Sequence, residues 1–284
     1  MVKVSFLGIG AQKSASTWLY GILGQFPEVF VSDPKELDFF SSFFDRGYEW
    51  YERHFAEGEG LQHRGEVSPS YLIDADTPAR VRDYNKGMKI LVCLRDPVER
   101  AFSNHLHEVR AGHVSGQNLV FETALTNNPL YLNQGLYSHH LDRWLEHFPR
   151  EQIHVTFQEH VKADSLRESQ RLAAFMELSL PAEIVQRRAN ESMGYKNELL
   201  GGALWRIGKA ARQSGFGGAI EKIKQVPGIR QVREANQKDI RKEIAPMRPE
   251  TAWELTDYFR EDVRKLETVM GVSVPWTRFG QVAA

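Results

Sequence analysis

GIGAQKSASTWL, Gly8 to Leu19, is the stretch on which the fold turns. Ahead of it, Val4, Phe6, Leu7 and Ile9 form a short apolar run closed by glycines. By length and punctuation this reads as a buried parallel strand. Behind it, Trp18, Leu19, Ile22 and Leu23 recur at helical spacing, which predicts a helix over Ser16 to Gln25. A strand that turns through glycine into a helix presents unpaired backbone N–H groups and the positive end of the helix dipole, together a site for an anion. Lys13 adds a cation there, and Ser14, Ser16 and Thr17 add hydroxyls. The usual nucleotide phosphate loop ends in Gly-Lys-Ser/Thr; Lys13 and Ser14 fit that ending, but Gln12 stands where the glycine belongs. That departure counts against an ATP or GTP loop of the ordinary kind.

A second handover from strand to helix follows at Lys89–Leu94, KILVCL, again an apolar run of strand length. Arg95 and Asp96 come next, then Pro97, with Glu99 in the following turn. Asp as N-cap, Pro at the first helical position and an acid nearby predict a helix start, and Gly112 closes the element. Arg95 therefore sits at the carboxyl end of a strand, where open α/β sheets bind ligands. Ser103 lies eight residues on, about two turns into the helix. An Arg fork and a hydroxyl so placed suit a second phosphate.

Lys13-Ser14-Ala15-Ser16-Thr17-Trp18 resembles the 5′-phosphosulfate loop of the sulfotransferases, usually K-x-G-x-T-W. Arg95 with Ser103, inside RDPVERAFSNH, resembles their 3′-phosphate motif. Three further segments resemble the branch that holds the heparan sulfate and bacterial enzymes: KELDFF from Lys35, GEVSPSY from Gly65, and GLYSHHL from Gly135 running on to Trp144 and Phe148-Pro149. The resemblance covers roughly residues 4–180 in order. Ala15 departs from the commoner glycine, and Asp38 stands where that branch often has His.

The resemblance implies a three-layer α/β fold, with a central parallel sheet, helices on both faces and a nucleotide loop related to the P-loop. It implies 3′-phosphoadenosine 5′-phosphosulfate as sulfuryl donor, a molecule with anions at both ends and so in need of two anion sites. Lys13, Ser14, Ala15, Ser16, Thr17, Trp18, Arg95 and Ser103 are the implied donor-binding residues. Trp18 matches the aromatic that stacks on adenine, and Lys13 would stabilise charge on the departing bridging oxygen. Lys35 assists there or orients the acceptor. Glu66 matches the family's catalytic carboxylate, with its pKa raised by burial, and His107 is the second candidate base. The sulfuryl group bears less charge than a phosphoryl, so positioning and hydrogen bonds are expected to suffice without a metal.

Composition is that of an ordinary globular chain, with 284 residues, 42% hydrophobic and 26% charged. A single domain spanning 1–284 is expected. The formal net charge of −1 argues against a nucleic-acid binder. The one cysteine, Cys93, lies mid-strand and reads as inert core. No signal peptide or apolar run of membrane length is visible, which leads to the expectation of a cytoplasmic enzyme. The histidines make no metal signature.

Further elements follow from periodicity. Helices are predicted over Leu136–His147, Ser165–Leu178 and Glu250–Met270, and a strand over Ile153–Phe157. In the last helix Trp253, Phe259, Val263 and Leu266 are expected to face inward, with Gly271 as stop. The segment 196–242 is basic and carries seven glycines. It reads either as a cover over an anionic ligand, with Lys196 or Arg206 reaching the 3′-phosphate, or as an amphipathic helix with a solvated basic face. The aromatics Phe39, Phe40, Phe43, Phe44, Tyr48, Trp50 and Tyr51 either line an apolar acceptor pocket or form core. The acceptor is read as a hydroxyl on a small molecule, a lipid or a glycan, with the small molecule or lipid preferred because a glycan polymer would call for a long basic cleft that a net charge of −1 does not favour. Two rival functions stand beside this reading. One is a P-loop-type ATP-dependent kinase or NTPase; the other is a non-catalytic adenylate-binding module.

Overall fold

The computed structural model describes residues 3–185, 193–195, 237–239 and 244–280. In chain order the elements are β1 (Phe6–Gly10), α1 (Ser16–Leu23), β2 (Val29–Val31), α2 (Phe39–Ser42), α3 (Gly47–Glu52), β3 (His63–Val67), α4 (Thr77–Tyr84), β4 (Lys89–Leu94) and α5 (Pro97–Arg110). Then come α6 (Phe121–Asn127), α7 (Leu130–Asn133), α8 (Tyr137–Leu145), β5 (Ile153–Phe157), α9 (Gln158–Ala163) and α10 (Ser165–Met176). The series ends with β6 (Met193–Tyr195), β7 (Gln237–Asp239) and α11 (Pro249–Met270). The chain divides into two compact units, one of Met1–Ala101, Leu132–Ala189 and Ala252–Ala284, the other of Phe102–Tyr131 and Asn190–Thr251.

The first unit is built on a five-stranded sheet in the order β2-β3-β1-β4-β5, with every pair parallel. This is the expected α/β architecture. The apolar runs that announced β1 and β4 are adjacent strands inside the sheet, with Phe6 opposite Lys89 and Gly8 opposite Leu91. On one face, Phe6, Val67, Leu91 and Cys93 pack with Leu19, Ile22 and Leu23 of α1 and Leu172, Ala173 and Met176 of α10. Leu7, Ile9, Ile90, Val92 and Leu94, which alternate with them, are buried as well. Burial on both faces is why these strands read as continuous apolar runs. Burial also pushes the Cys93 thiol up to about 12, in keeping with an inert core residue.

Sheet spacing depends on Gly65. A Cβ there would lie 2.1 Å from the Phe6 carbonyl oxygen and 2.7 Å from the Phe6 ring. Gly65→Ala is expected to cost about 3 kcal/mol of stability, the upper end of overpacking, measured as a lower urea midpoint.

The second unit holds the distal part of α5, α6 and the antiparallel pair β6–β7, in which Met193 faces Asp239. Its aromatic centre joins Phe121 to Phe102 at 5.3 Å and to His105 at 5.4 Å, edge-on in the first case.

The start of α5 is as expected. The Asp96 carboxylate accepts the N–H groups of Val98 (2.9 Å) and Glu99 (3.2 Å), Pro97 follows it, and Gly112 ends the segment at φ 71°. Two expectations are corrected. Helix α1 ends at Leu23, where Gly24 caps it, and the helices from Tyr137 and Ser165 end at Leu145 and Met176, each two residues early. Trp253 is 76% exposed, whereas Leu255, Phe259, Val263, Leu266 and Met270 form the buried stripe of α11. Trp253 precedes that stripe's first member by two residues, about 200° around the helix, so it faces away. Apart from the strand at 237–239, the basic segment 196–242 lies outside the described residues, Lys196 and Arg206 included.

Candidate active site

Four of the stretches singled out from the sequence meet at the carboxyl ends of β1, β3 and β4. Past β1 the chain enters the loop through Gly10, whose φ of 139° and the closeness of Pro69 O (3.0 Å from a Cβ placed there) require glycine. The Ala11 N–H donates to the Cys93 carbonyl (2.7 Å), which ties the loop to β4. Lys13 and Ala15 take left-handed φ values of 69° and 67° on either side of Ser14, a chain path of the kind that forms anion-binding concavities. Ser14 is fully buried, Ser16 half-buried and Thr17 exposed. Helix α1 then starts with no side-chain cap and no acid in its first turn, which leaves its positive end available to an anion.

Trp18 is half-buried against the core, and its Nε1–H donates to Ser165 Oγ (3.0 Å) at the start of α10. Its indole is thus anchored by packing and by one hydrogen bond. Lys35 reaches back to α1: its Nζ donates to Ser16 Oγ (3.3 Å) and to Glu36 Oε1 (3.0 Å).

Glu66, on β3, is fully buried and holds three donors. Oε2 accepts the Leu37 N–H (3.0 Å) and the Ser68 hydroxyl (2.5 Å), and Oε1 accepts the Tyr71 hydroxyl (2.6 Å). Burial pushes its carboxyl up to about 7, against the pull of those hydrogen bonds and with a smaller push from Asp38. Leu37 lies two residues from Lys35, so the same short segment serves both groups. Asp38, whose carboxyl is raised by burial, takes a hydrogen bond from Ser70 (2.6 Å), and its N–H donates to Ser68 Oγ (3.0 Å).

Arg95 follows β4 and is 5% exposed. Its Nη2 lies 3.8 Å from Glu99 Oε2, and among the described residues its buried Nη1 has no hydrogen-bond partner. A buried guanidinium nitrogen without a partner fits an anion supplied by a ligand. Tyr137, fully buried beside the Ser14 hydroxyl, donates from its own hydroxyl to the Arg95 carbonyl (2.8 Å) and so links the two loops.

Ser103 and His107 lie further along α5, in the second unit. Ser103 is buried. His107 Nδ1 accepts from Arg110 Nη2 (2.6 Å), which assigns the ring hydrogen to Nε2 in the neutral form. Of the aromatics whose role was open, Phe39, Phe40 and Tyr51 are core, with Phe39 stacked on Tyr51 at 4.4 Å. Among the described residues no cluster of three or more His, Cys, Asp or Glu is placed to hold a metal. Within the same residues no helix is long and apolar enough to cross a membrane.

Ser68, Tyr71, Tyr137 and Ser165 are the partners that sequence reasoning did not assign. Ser68 and Tyr71 carried a signal, two and five residues after Glu66 at a strand end. Ser165 carried none, being 147 residues from Trp18.

The sulfotransferase domain family's model matches residues 5–194, more than half of the chain. The chain belongs to that family. It is similar to human heparan sulfate glucosamine 3-O-sulfotransferase 5, with 30% identity over 189 residues, 63% of this chain and 54% of the relative. It is also similar to the membrane-associated sulfotransferase kil1 of Dictyostelium discoideum, with 35% identity over 104 residues, 36% of this chain and 22% of that protein. The chain thus spans about half the length of the first of these relatives and less of the second. A crystal structure of a sulfotransferase from Alicyclobacillus acidocaldarius superposes with a TM-score of 0.69 over 96% of this chain and 98% of its own, at 24% identity, and shares the fold. The kinase or NTPase reading is not favoured by any of these matches.

Proposed function

We propose that the chain transfers a sulfuryl group from 3′-phosphoadenosine 5′-phosphosulfate to a hydroxyl. The observation that carries this is the pair of anion-accepting groups at the ends of the adjacent strands β1 and β4: the uncapped loop and helix at Lys13–Trp18, and Arg95 with its unpartnered nitrogen. A donor charged at both ends needs both. Bound there, the donor supplies the sulfuryl group and a nucleoside bisphosphate leaving group.

Lys13 and the first-turn N–H groups of α1 hold the 5′ end and stabilise charge on the bridging oxygen. Arg95 holds the 3′-phosphate, and Trp18 takes the adenine, a stack worth about 1–3 kcal/mol. Lys35, already in contact with Ser16, adds a second cation at the reacting end. Glu66 takes the acceptor's proton. A carboxylate has about four lone-pair positions, and Glu66, which accepts from Leu37, Ser68 and Tyr71 and has the Tyr51 hydroxyl beside it, takes the acceptor proton only as part of that hydrogen-bonded group. With a carboxyl near 7 the group is both available as a base and strong enough to act at neutral pH. His107, its Nδ1 taken by Arg110, is the weaker candidate.

For the acceptor, relatives named for glucosamine 3-O-sulfation support a saccharide hydroxyl over a small metabolite or a lipid.

The test is a thermal-shift titration with 3′-phosphoadenosine 5′-phosphate beside AMP and ATP with Mg²⁺. At a hundredfold excess over Kd a native-state ligand adds about 2.7 kcal/mol. Stabilisation by the 3′-phosphorylated nucleotide above the other two is the expected result. Stabilisation by ATP with Mg²⁺ alone would sink the reading. A non-catalytic adenylate module predicts the same binding without transfer, which the Glu66 variant below separates.

A further inference from the structure

Arg95 is flanked by two acids, Asp96 and Glu99, and a second cation engages both. Arg278, on the turn Thr277–Phe279, donates from Nε to Asp96 Oδ2 (2.6 Å) and from Nη2 to Glu99 Oε1 (3.0 Å). The other Glu99 oxygen stops 3.8 Å from Arg95 Nη2, and Arg95 Nη1 stays unpartnered. The turn is fixed in place. Trp276, buried just ahead of it, donates from Nε1 to Glu159 Oε2 (3.1 Å), and Glu159 Oε1 accepts the Asp96 N–H (3.1 Å). Glu99 itself is 43% exposed and has room to turn.

Asp96 and Glu99 thus share one strand end with Arg95 and Arg278, and how these four pair decides what Arg95 can bind. With Arg278 in place, Asp96 and Glu99 are satisfied elsewhere and the Arg95 fork is left for a ligand. Without it, the nearest cation for Glu99 among the described residues is Arg95, already a loose ion-pair partner at 3.8 Å, and a short side-chain rotation tightens that contact to a hydrogen-bonded pair. A guanidinium paired to a carboxylate then has to break that pair before it takes an anion.

We propose that Arg278 is a positioning residue that holds Glu99 off Arg95 and so keeps the Arg95 fork open to the 3′-phosphate of the donor. This rests on the assignment of Arg95 above. Arg278 makes no contact with the ligand in this role; it acts through Glu99.

The experiment is calorimetric titration of 3′-phosphoadenosine 5′-phosphate and of AMP into the parent, Arg278→Ala, Glu99→Gln, their double variant and Arg95→Ala. Arg278→Ala is expected to weaken the 3′-phosphorylated nucleotide about tenfold, the scale of one charged hydrogen bond, and to leave AMP unchanged. Glu99→Gln alone is expected to bind at least as tightly as the parent, and the double variant to recover parent affinity. In turnover, Arg278→Ala raises the donor KM and leaves kcat in place. Arg278→Lys, a point charge that cannot span both carboxylates, falls between the parent and the alanine variant and serves if the alanine variant does not fold. Unchanged affinity in Arg278→Ala overturns the inference, as does a double variant no better than Arg278→Ala, since the loss would then come from a loosened turn. If Arg95→Ala leaves the preference over AMP intact, the assignment of Arg95 falls. If only Arg95→Ala matters, the role of Arg278 falls alone.

Discussion

Glu66→Gln is expected to lower kcat about a thousandfold and to leave the affinity for 3′-phosphoadenosine 5′-phosphate within about twofold, a loss near the top of what a general base contributes. The substitution keeps the shape of a side chain that lies fully buried among Leu37, Ser68 and Tyr71, removes the ability to take a proton, and turns one acceptor oxygen into a donor facing those groups. The parent's kcat/KM is expected to rise with pH up to about 7 and then level, following ionisation of that carboxyl. Stability moves the other way. The native carboxyl titrates near 7 and the unfolded one near its ordinary 4.5, so between those values the native state holds a proton that the unfolded chain has released. Native stability therefore falls as pH rises through that window and is level above it. Glu66→Gln has no such dependence, so from pH 4 to pH 8 it gains about 3 kcal/mol on the parent, the size of a shift of two to three units. Urea unfolding of both proteins at the two pH values measures this. A variant that turns over like the parent would make Glu66 a structural carboxylate and leave another base, whereas a parent that binds the nucleotide and transfers nothing would leave the non-catalytic reading.

Arg95→Ala is expected to weaken the 3′-phosphorylated nucleotide about a hundredfold and AMP hardly at all, since a bidentate charged contact is worth about 2–3 kcal/mol. The unliganded variant is expected to be no less stable than the parent. Arg95 lies buried with Nη1 unpartnered, and its closest carboxylate is 3.8 Å away, so little is lost with the side chain. The Tyr137 hydrogen bond is to the backbone carbonyl and survives the change. A drop in unliganded stability with unchanged nucleotide preference would show that the guanidinium is structural.

The parts of the fold legible in the sequence are those with local signals. The strand at Lys89–Leu94 and the helix start at Asp96-Pro97 are written in consecutive residues, and the structure has both at those positions. β2 was missed because three residues carry no periodicity. Trp253 misled because a large apolar side chain near a helical repeat was counted with it, although its angle excludes it. At the site, the loop and Glu66 were legible from the quoted segments. What holds them was not. Ser165 and Arg278 meet Trp18 and Asp96 across 147 and 182 residues, and nothing in the chain between announces such contacts.

The order β2-β3-β1-β4-β5 also bears on how the protein is made. Strand β1 takes its hydrogen bonds from β3 and β4, whose partners to Phe6 are Gly65 and Lys89. On a ribosome adding about 5–20 residues per second, FLGIG waits several seconds before its second neighbour is even synthesised. During that interval the most buried strand of the sheet is an apolar segment with both edges open, the state in which chains aggregate or recruit chaperones. Parallel pairing over such separations also slows folding once the chain is complete. Yield in cells is therefore expected to be set by the fate of the nascent chain before Lys89 appears, more than by the stability of the finished sheet.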